Sequence, residues 1–278
     1  VPEQCQNRSA GWPRWRPWVQ GVCLAGFIGL ALTAHLHWRL PVGADLFLRL
    51  DPLLWVAGTV ASRDWAPWAV WALGLVVGTA LLGRVFCGWV CPLGTVLDAT
   101  ASIQRRRPAR VLVPRLLAVR FLVLGTVIGA AVVGVNLAGW VDPLAMTGRL
   151  LHVLRTGPTS IAATAFAAAL VLGAIGLVWL TPRFWCRAVC PLGALLSVAS
   201  RLSWWRPRVS ASCQACDQCQ RTCPMGRGPR QHASALCLGC GRCQVACPKG
   251  QSRSNSPDLH RPGRQCRPKH NRLMPAGV

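Results

Sequence analysis

The chain is 278 residues long, 52% apolar and only 14% charged, with 31 Lys+Arg against 8 Asp+Glu and a formal charge of +23. So much apolar content with so little charge excludes an ordinary soluble domain and puts a membrane protein first. A nucleic-acid binder would also be basic. Here, however, the basic residues are nearly absent from four long stretches and crowded between and after them, a topological pattern that removes nucleic acid from the expected partners.

Taken in order, the N-terminal segment, 1–16, carries Arg8, Arg14 and Arg16. Four stretches without Asp, Glu, Lys or Arg follow, between Arg16 and Arg39, Asp64 and Arg84, Arg120 and Asp142, and Arg155 and Arg183. Each is about as long as a helix needs to cross ~30 Å of hydrocarbon at ~1.5 Å per residue, so the sequence predicts four transmembrane helices within 17–205. Trp18, Trp38, Trp65, Trp140 and Trp179 mark their ends as an interfacial aromatic belt would. Lys+Arg number three before the first span, seven from Arg84 to Arg120 and sixteen from Arg183 onward, against three and two in the other connections. That bias puts both termini and the Arg105-Arg106-Arg107 loop in the cytoplasm, and with them everything after the fourth span. The first apolar run exceeds a signal-peptide h-region and no small-x-small site follows it, so it is read as a span. Gly74/Gly78 and Gly125/Gly129 would let helix backbones approach closely. The segment Asp51 to Trp65 is too short to span and is expected at the outer surface.

An internal repeat is visible. Asp51-Pro52-Leu53 precedes a span ending in Cys87-Gly88-Trp89-Val90-Cys91-Pro92-Leu93-Gly94, and Asp142-Pro143-Leu144 precedes one ending in Cys186-Arg187-Ala188-Val189-Cys190-Pro191-Leu192-Gly193. The expected fold is an all-α membrane protein with four transmembrane helices in two hairpin repeats, both Asp-Pro-Leu signals outside and both Cys-x3-Cys-Pro signals inside.

From Arg206 the composition turns to Cys, Gln, Arg, Gly and Pro, too poor in large apolar residues for an ordinary core. Here Cys213-x2-Cys216-x2-Cys219-x3-Cys223-Pro224 is followed by Cys237-x2-Cys240-x2-Cys243-x3-Cys247-Pro248, the spacing of a two-cluster bacterial ferredoxin. Three thiolates on a short loop hold three corners of a cube, and the fourth Cys of each run ligates the other cluster. Cys213, Cys216, Cys219 and Cys247 are thus expected to hold one 4Fe–4S cluster, and Cys237, Cys240, Cys243 and Cys223 the second. Reciprocal ligation would cross-link the module, 206–250, in place of a hydrophobic core. Paired four-Cys zinc sites are the competing metal reading, but zinc seldom uses one such run, let alone two. A disulfide framework does not suit the reducing side of the membrane. The tail, 251–278, is basic and reads as disordered.

Cys87/Cys91 and Cys186/Cys190 sit at i, i+4, which on a helical turn puts both sulfurs on one face. They are read either as a thiol/disulfide redox site or a place for a soft metal such as Cu(I), or as buried thiols beside Pro92 and Pro191, which would end the spans. Asp51 and Asp142 are expected to cap helices before Pro; with His152 they are also conceivable proton acceptors from quinol. The histidines form no facing pair in the spans, so haem is not expected.

Four spans, two Cys-x3-Cys-Pro motifs and a terminal double cluster motif together resemble the NapH/MauN-type membrane ferredoxin family, whose core recurs in NosR and CcoG. The resemblance runs from about Trp15 to Lys249. It implies a membrane-bound iron–sulfur electron-transfer protein of the bacterial inner membrane, relaying electrons between the quinol pool or a membrane partner and a periplasmic redox enzyme system or its maturation. Its implied cofactors are two 4Fe–4S clusters with quinol as electron donor, and its implied partners are the bilayer, redox proteins and the quinone pool. The chain is then an electron carrier, conceivably a quinol dehydrogenase component, with no flavin domain of the NosR kind expected ahead of the first span. The alternative is a copper reduction or assembly factor using the four Cys-x3-Cys-Pro thiols.

Overall fold

The computed structural model describes residues 12–33, 46–65, 67–104, 114–156, 161–204, 218–228 and 234–246. The N-terminal residues 1–11, the loop at 105–107, Cys213, Cys216, Cys247 and the tail 251–278 lie outside the described residues. The described chain is mostly helical and contains no strand.

The repeat read from the sequence proves longer than a hairpin. One series of helices runs α1 (Trp12–Thr33), α2 (Leu46–Arg49), α3 (Pro52–Ser62), α4 (Ala69–Leu82), α5 (Val85–Trp89) and α6 (Pro92–Ile103). The same order of long and short elements returns as α7 (Pro114–Val132), α8 (Ala138–Val141), α9 (Pro143–Thr156), α10 (Ile161–Gly176), α11 (Phe184–Ala188) and α12 (Pro191–Ala199). Two short helices, α13 (Gln218–Arg221) and α14 (Arg242–Val245), belong to the cysteine-rich module.

Local chemistry sets these boundaries. Asp51 Oδ1 accepts from the N–H groups of Leu53 at 2.8 Å and Leu54 at 3.3 Å, while Asp142 Oδ2 accepts from Leu144 at 2.7 Å and Ala145 at 3.2 Å. Each carboxylate thereby satisfies orphan donors of a helix that opens on proline, so the capping role expected of both residues holds.

The two series interlock. α3 packs on α7 of the other series and α9 on α1; α4 meets α12 and α10 meets α6; α6 lies against α9 and α12 against α3. Such reciprocal pairs are what a pseudo-two-fold relation produces. The core they enclose includes Leu53, Leu93, Leu97, Leu144, Met146, Leu192 and Leu196.

Outward faces are apolar as well: Val70, Trp71 and Val77 on α4, Leu122 and Val132 on α7, and Ile161, Phe166 and Leu172 on α10 are exposed. One described helix, Ile161–Trp179, is by length and composition long and apolar enough to cross a membrane. Pro52–Ser62, Ala69–Leu82, Leu116–Val132 and Pro191–Leu202 are shorter apolar helices.

One expectation is corrected. Gly74, Gly78, Gly125 and Gly129 have nothing within 4 Å of where a side chain would begin, so among the described residues the close helix approach expected there is not made. Within the segment from Asp51 to Trp65, Asp51, Pro52 and Leu53 are buried where α3 meets the other series, while Ser62, Arg63, Asp64 and Trp65 are exposed.

Candidate functional site

Each series brings an Arg-x-x-Cys step and a Cys-Pro step to the same place. Cys87 lies in α5 and Cys186 in α11; Cys91 and Cys190 then stand at the N-cap positions of α6 and α12, with ψ of 121° and 114°. A residue before proline is pushed out of the helical region, and proline is favoured as the first helical residue. Proline therefore opens a new helix here instead of ending a span, and the two sulfurs of each motif do not share one continuous helical face. Cys190 Sγ accepts from the Gly193 N–H at 3.2 Å. All four cysteines are free of disulfides, buried and part of one core. Burial and the neighbouring thiols push Cys91 and Cys190 upward, keeping them as thiols.

Arginines cross between the series at these turns. Arg183, fully buried, donates from Nε and Nη2 to Asp98 at 2.8 and 2.9 Å, from Nη1 to the Cys87 carbonyl at 2.9 Å and from Nη2 to the Gly94 carbonyl at 3.2 Å. Its backbone is left-handed, with φ 54°, a conformation a bulky residue holds only where surrounding bonds over-determine it. Arg16 pairs with the same Asp98 carboxylate and also donates to the Gly88 carbonyl, while Gln20 bonds both groups from α1. Burial alone would raise the Asp98 carboxyl; the charges of Arg183 and Arg16 outweigh it and hold the group well below the usual carboxylate range.

Arg84, the counterpart of Arg183 in the first series, is equally buried. Its Nη2 lies 4.0 Å from Cys87 Sγ and 2.8 Å from where a side chain on Gly193 would begin, so it reaches the turn of the second series. The residue matching Asp98 there is Ser197, whose hydroxyl donates to the Ala194 carbonyl at 2.7 Å. The two-fold pattern is thus broken at one position. In the sequence Arg84 and Arg183 serve only as charged ends of apolar runs. Their equal spacing before the two Cys-x3-Cys-Pro motifs was the available signal that they belong to the site.

Asp51 and Asp142 face each other in the core. The oxygens left over from capping, Asp51 Oδ2 and Asp142 Oδ1, are buried without a hydrogen-bond partner among the described residues, and the two carboxyls lie close enough to shift one another. Burial pushes Asp51 up to about 6, and burial together with the Asp51 charge holds Asp142 well above the usual carboxylate range. The pair lies within charge range of Cys91 and Cys190 through Asp142. The sequence had placed these aspartates and cysteines at opposite ends of the spans; the structure brings them to one region. His152 is exposed on α9.

The cysteine-rich module sits directly on the first Cys-x3-Cys-Pro turn. A side-chain carbon on Gly88 would lie 2.5 Å from the Leu238 carbonyl oxygen, an approach that only glycine allows. Trp89 Nε1 donates to the Gly239 carbonyl at 3.4 Å. Left-handed glycines, Gly239 (φ 61°) and Gly241 (φ 69°), turn the backbone around Cys240.

Cys223, Cys237, Cys240 and Cys243 lie within charge range of one another, and burial pushes Cys237 up to about 11 and raises Cys223 and Cys243 as well. One buried thiol, Cys240, and three half-buried ones, Cys223, Cys237 and Cys243, with no carboxylate among them suit a cluster that replaces their protons with iron. Among the described residues no group of three or more His, Cys, Asp or Glu could hold a metal ion; a cube carries its thiolates at separate corners, farther apart than a mononuclear site does. The residues present fit the group for this second set. Of the first set only Cys219 is among the described residues.

Comparison with known proteins matches a 4Fe–4S binding domain to residues 65–110 and 163–209, the two copies of the repeat that carry the Cys-x3-Cys-Pro turns. The chain is 34% identical to the ferredoxin-type protein NapH of Haemophilus influenzae over 63% of this chain and 60% of that protein. It is 27% identical to NapH of Escherichia coli over 77% of each, and 30% identical to the methylamine utilization ferredoxin-type protein MauN of Methylobacillus flagellatus over 65% of this chain and 60% of that protein. The chain thus spans about 60% of the length of the Haemophilus relative. No solved structure matches.

Proposed function

Because the chain belongs to the family of NapH- and MauN-type ferredoxin-type proteins, we propose that it is a membrane-bound iron–sulfur electron-transfer protein, relaying electrons between the quinol pool or a membrane partner and a periplasmic redox enzyme system or its maturation. In this reading 17–205 forms the membrane domain with four transmembrane helices, 206–250 the two-cluster module and 251–278 a basic tail. The protein lies in the bacterial inner membrane with both termini and the clusters on the cytoplasmic side. Cys213, Cys216, Cys219 and Cys247 hold one cluster, and Cys223, Cys237, Cys240 and Cys243 the other. When bound, each supplies one-electron transfer. The exposed apolar faces of α4, α7 and α10 suit lipid.

One observation carries the reading: the second cysteine run is seated on the Cys87–Cys91 turn through the Gly88–Leu238 and Trp89–Gly239 contacts. A metal-binding module anchored in this way, with buried thiols on both sides of the contact, is built for transfer between membrane and module. The chain's residues exclude water from that junction, orient it through the Arg183–Asp98 bonds and hold protons on the Asp51–Asp142 pair.

The test is anaerobic purification in mild detergent, iron and sulfide analysis, and titration with a quinol analogue followed by electron paramagnetic resonance. About eight irons per chain, from two four-iron clusters, with cluster signals growing on quinol addition, is the expected result. Zinc in place of iron would overturn the reading. Copper bound in a manner that depends on Cys87, Cys91, Cys186 and Cys190 would favour the metal-handling alternative.

A further inference from the structure

Arg84 stands out because the two-fold pattern predicts a partner that it does not have. Arg183 spends its charge on Asp98 through two hydrogen bonds. Arg84 reaches the equivalent place in the other series and meets Ser197. Among the described residues its Nε and Nη1 have no hydrogen-bond partner although the side chain is fully buried. Arg120 on α7, also buried and within charge range of Arg84, likewise leaves Nε and Nη1 unpartnered. A buried guanidinium without an anion is costly, and two that repel each other are more so. An arrangement of this kind is retained where something negative comes to it.

The anion that fits is next door. Arg84 Nη2 lies against Cys87 Sγ, Gly88 follows Cys87 and abuts Leu238, and Leu238 follows Cys237, which lies within charge range of Arg84. Cys240 is likewise within range of Arg183, and Cys223 of Arg187.

We propose that Arg84 is the buried cation that stabilises the reduced state of the cluster site formed by Cys223, Cys237, Cys240 and Cys243, the site seated on the Cys87–Cys91 turn. This rests on the ligand assignment of the preceding section. Reduction adds one negative charge with no bond made or broken, and Arg84, uncompensated by design of the sequence at Ser197, meets that charge. Arg183 contributes less, since Asp98 cancels most of its field. The two repeats therefore present unequal charge to the module, and the inequality sets a downhill direction for electrons toward the Arg84 side.

The test is a mediator-poised redox titration of the full-length, iron-loaded protein, with both clusters followed by electron paramagnetic resonance and a Cys213→Ser background used to assign them. Arg84→Gln is expected to lower the midpoint of the Cys223/Cys237/Cys240/Cys243 cluster, shifting its reduced-to-oxidised ratio on the order of tenfold at fixed poise, which is about 59 mV for one electron, while the other cluster stays put. Arg84→Lys should restore most of the shift. Ser197→Asp, which leaves the arginine in place and supplies the missing carboxylate, should lower the same midpoint. Unchanged midpoints in both Arg84→Gln and Ser197→Asp, with iron near eight per chain, would overturn the proposal and leave the electron-transfer reading standing. A wild-type protein without iron would instead overturn the reading on which it rests.

Discussion

Replacing Asp98 by Asn removes the one negative charge in a fully enclosed network while keeping its shape. Asp98 receives two hydrogen bonds from Arg183, at 2.8 and 2.9 Å, pairs with Arg16 and accepts from Gln20 at 3.1 Å. The amide can accept some of these bonds but leaves two buried guanidinium groups facing each other without an anion. Breaking a buried ion pair by removing one partner costs ~3–5 kcal/mol. At roughly 2–4 °C per kcal/mol for a domain of this size, the unfolding midpoint should fall by roughly 6–20 °C. The assay is thermal unfolding of the detergent-purified protein by tryptophan fluorescence, at matched scan rates because the midpoint of an irreversible transition depends on scan rate. The pH dependence supplies a second readout. The Asp98 carboxyl is held below its usual value, so the stability it contributes is complete above about 3.8 and is lost as pH falls through the folded-state value; Asp98→Asn should lack that acid limb. A midpoint within about 2 °C of wild type would refute the claim that this carboxylate ties α1 and α11 to α6.

Gly88→Ala places a carbon against the Leu238 carbonyl and should cost ~1–3 kcal/mol by overpacking, read as faster proteolysis after residue 204 and easier loss of iron while the helices α1–α12 stay folded. For the Asp51–Asp142 pair the raised Asp51 value of about 6 means stability is greatest at low pH and declines as pH rises from about 3.8 to 6. Asp142 is raised as well, so Asp142→Asn, which keeps the cap and removes one of the two buried carboxyls, should make that decline shallower, whereas Asp142→Ala should also lose ~1 kcal/mol from the missing cap; a decline unchanged in Asp142→Asn would refute the raised Asp142 carboxyl. Buried Cys91, Cys186 and Cys190, with thiols raised by burial, should resist alkylation at neutral pH in the native protein and react only after unfolding, as counted by mass spectrometry.

The sequence by itself determined what is local or periodic. Apolar runs between charged residues marked the helices that became α1, α4, α7 and α10. Asp before Pro marked the caps of α3 and α9, since a short carboxylate and a proline at the first helical position act within three or four residues. Cysteine spacing marked the module, because ligation by a run of thiols depends on loop length. What only tertiary structure decided lies across long separations. That the Cys-Pro steps open helices rather than end them depends on where the following turn finds room. That Asp51 and Asp142 meet, and that Arg183 crosses 85 residues to Asp98 while Arg84 finds a serine at the matching place, depends on two similar halves packing face to face. A buried charge is stabilised or left uncompensated by whatever the fold brings beside it, and no periodicity along the chain records that neighbour.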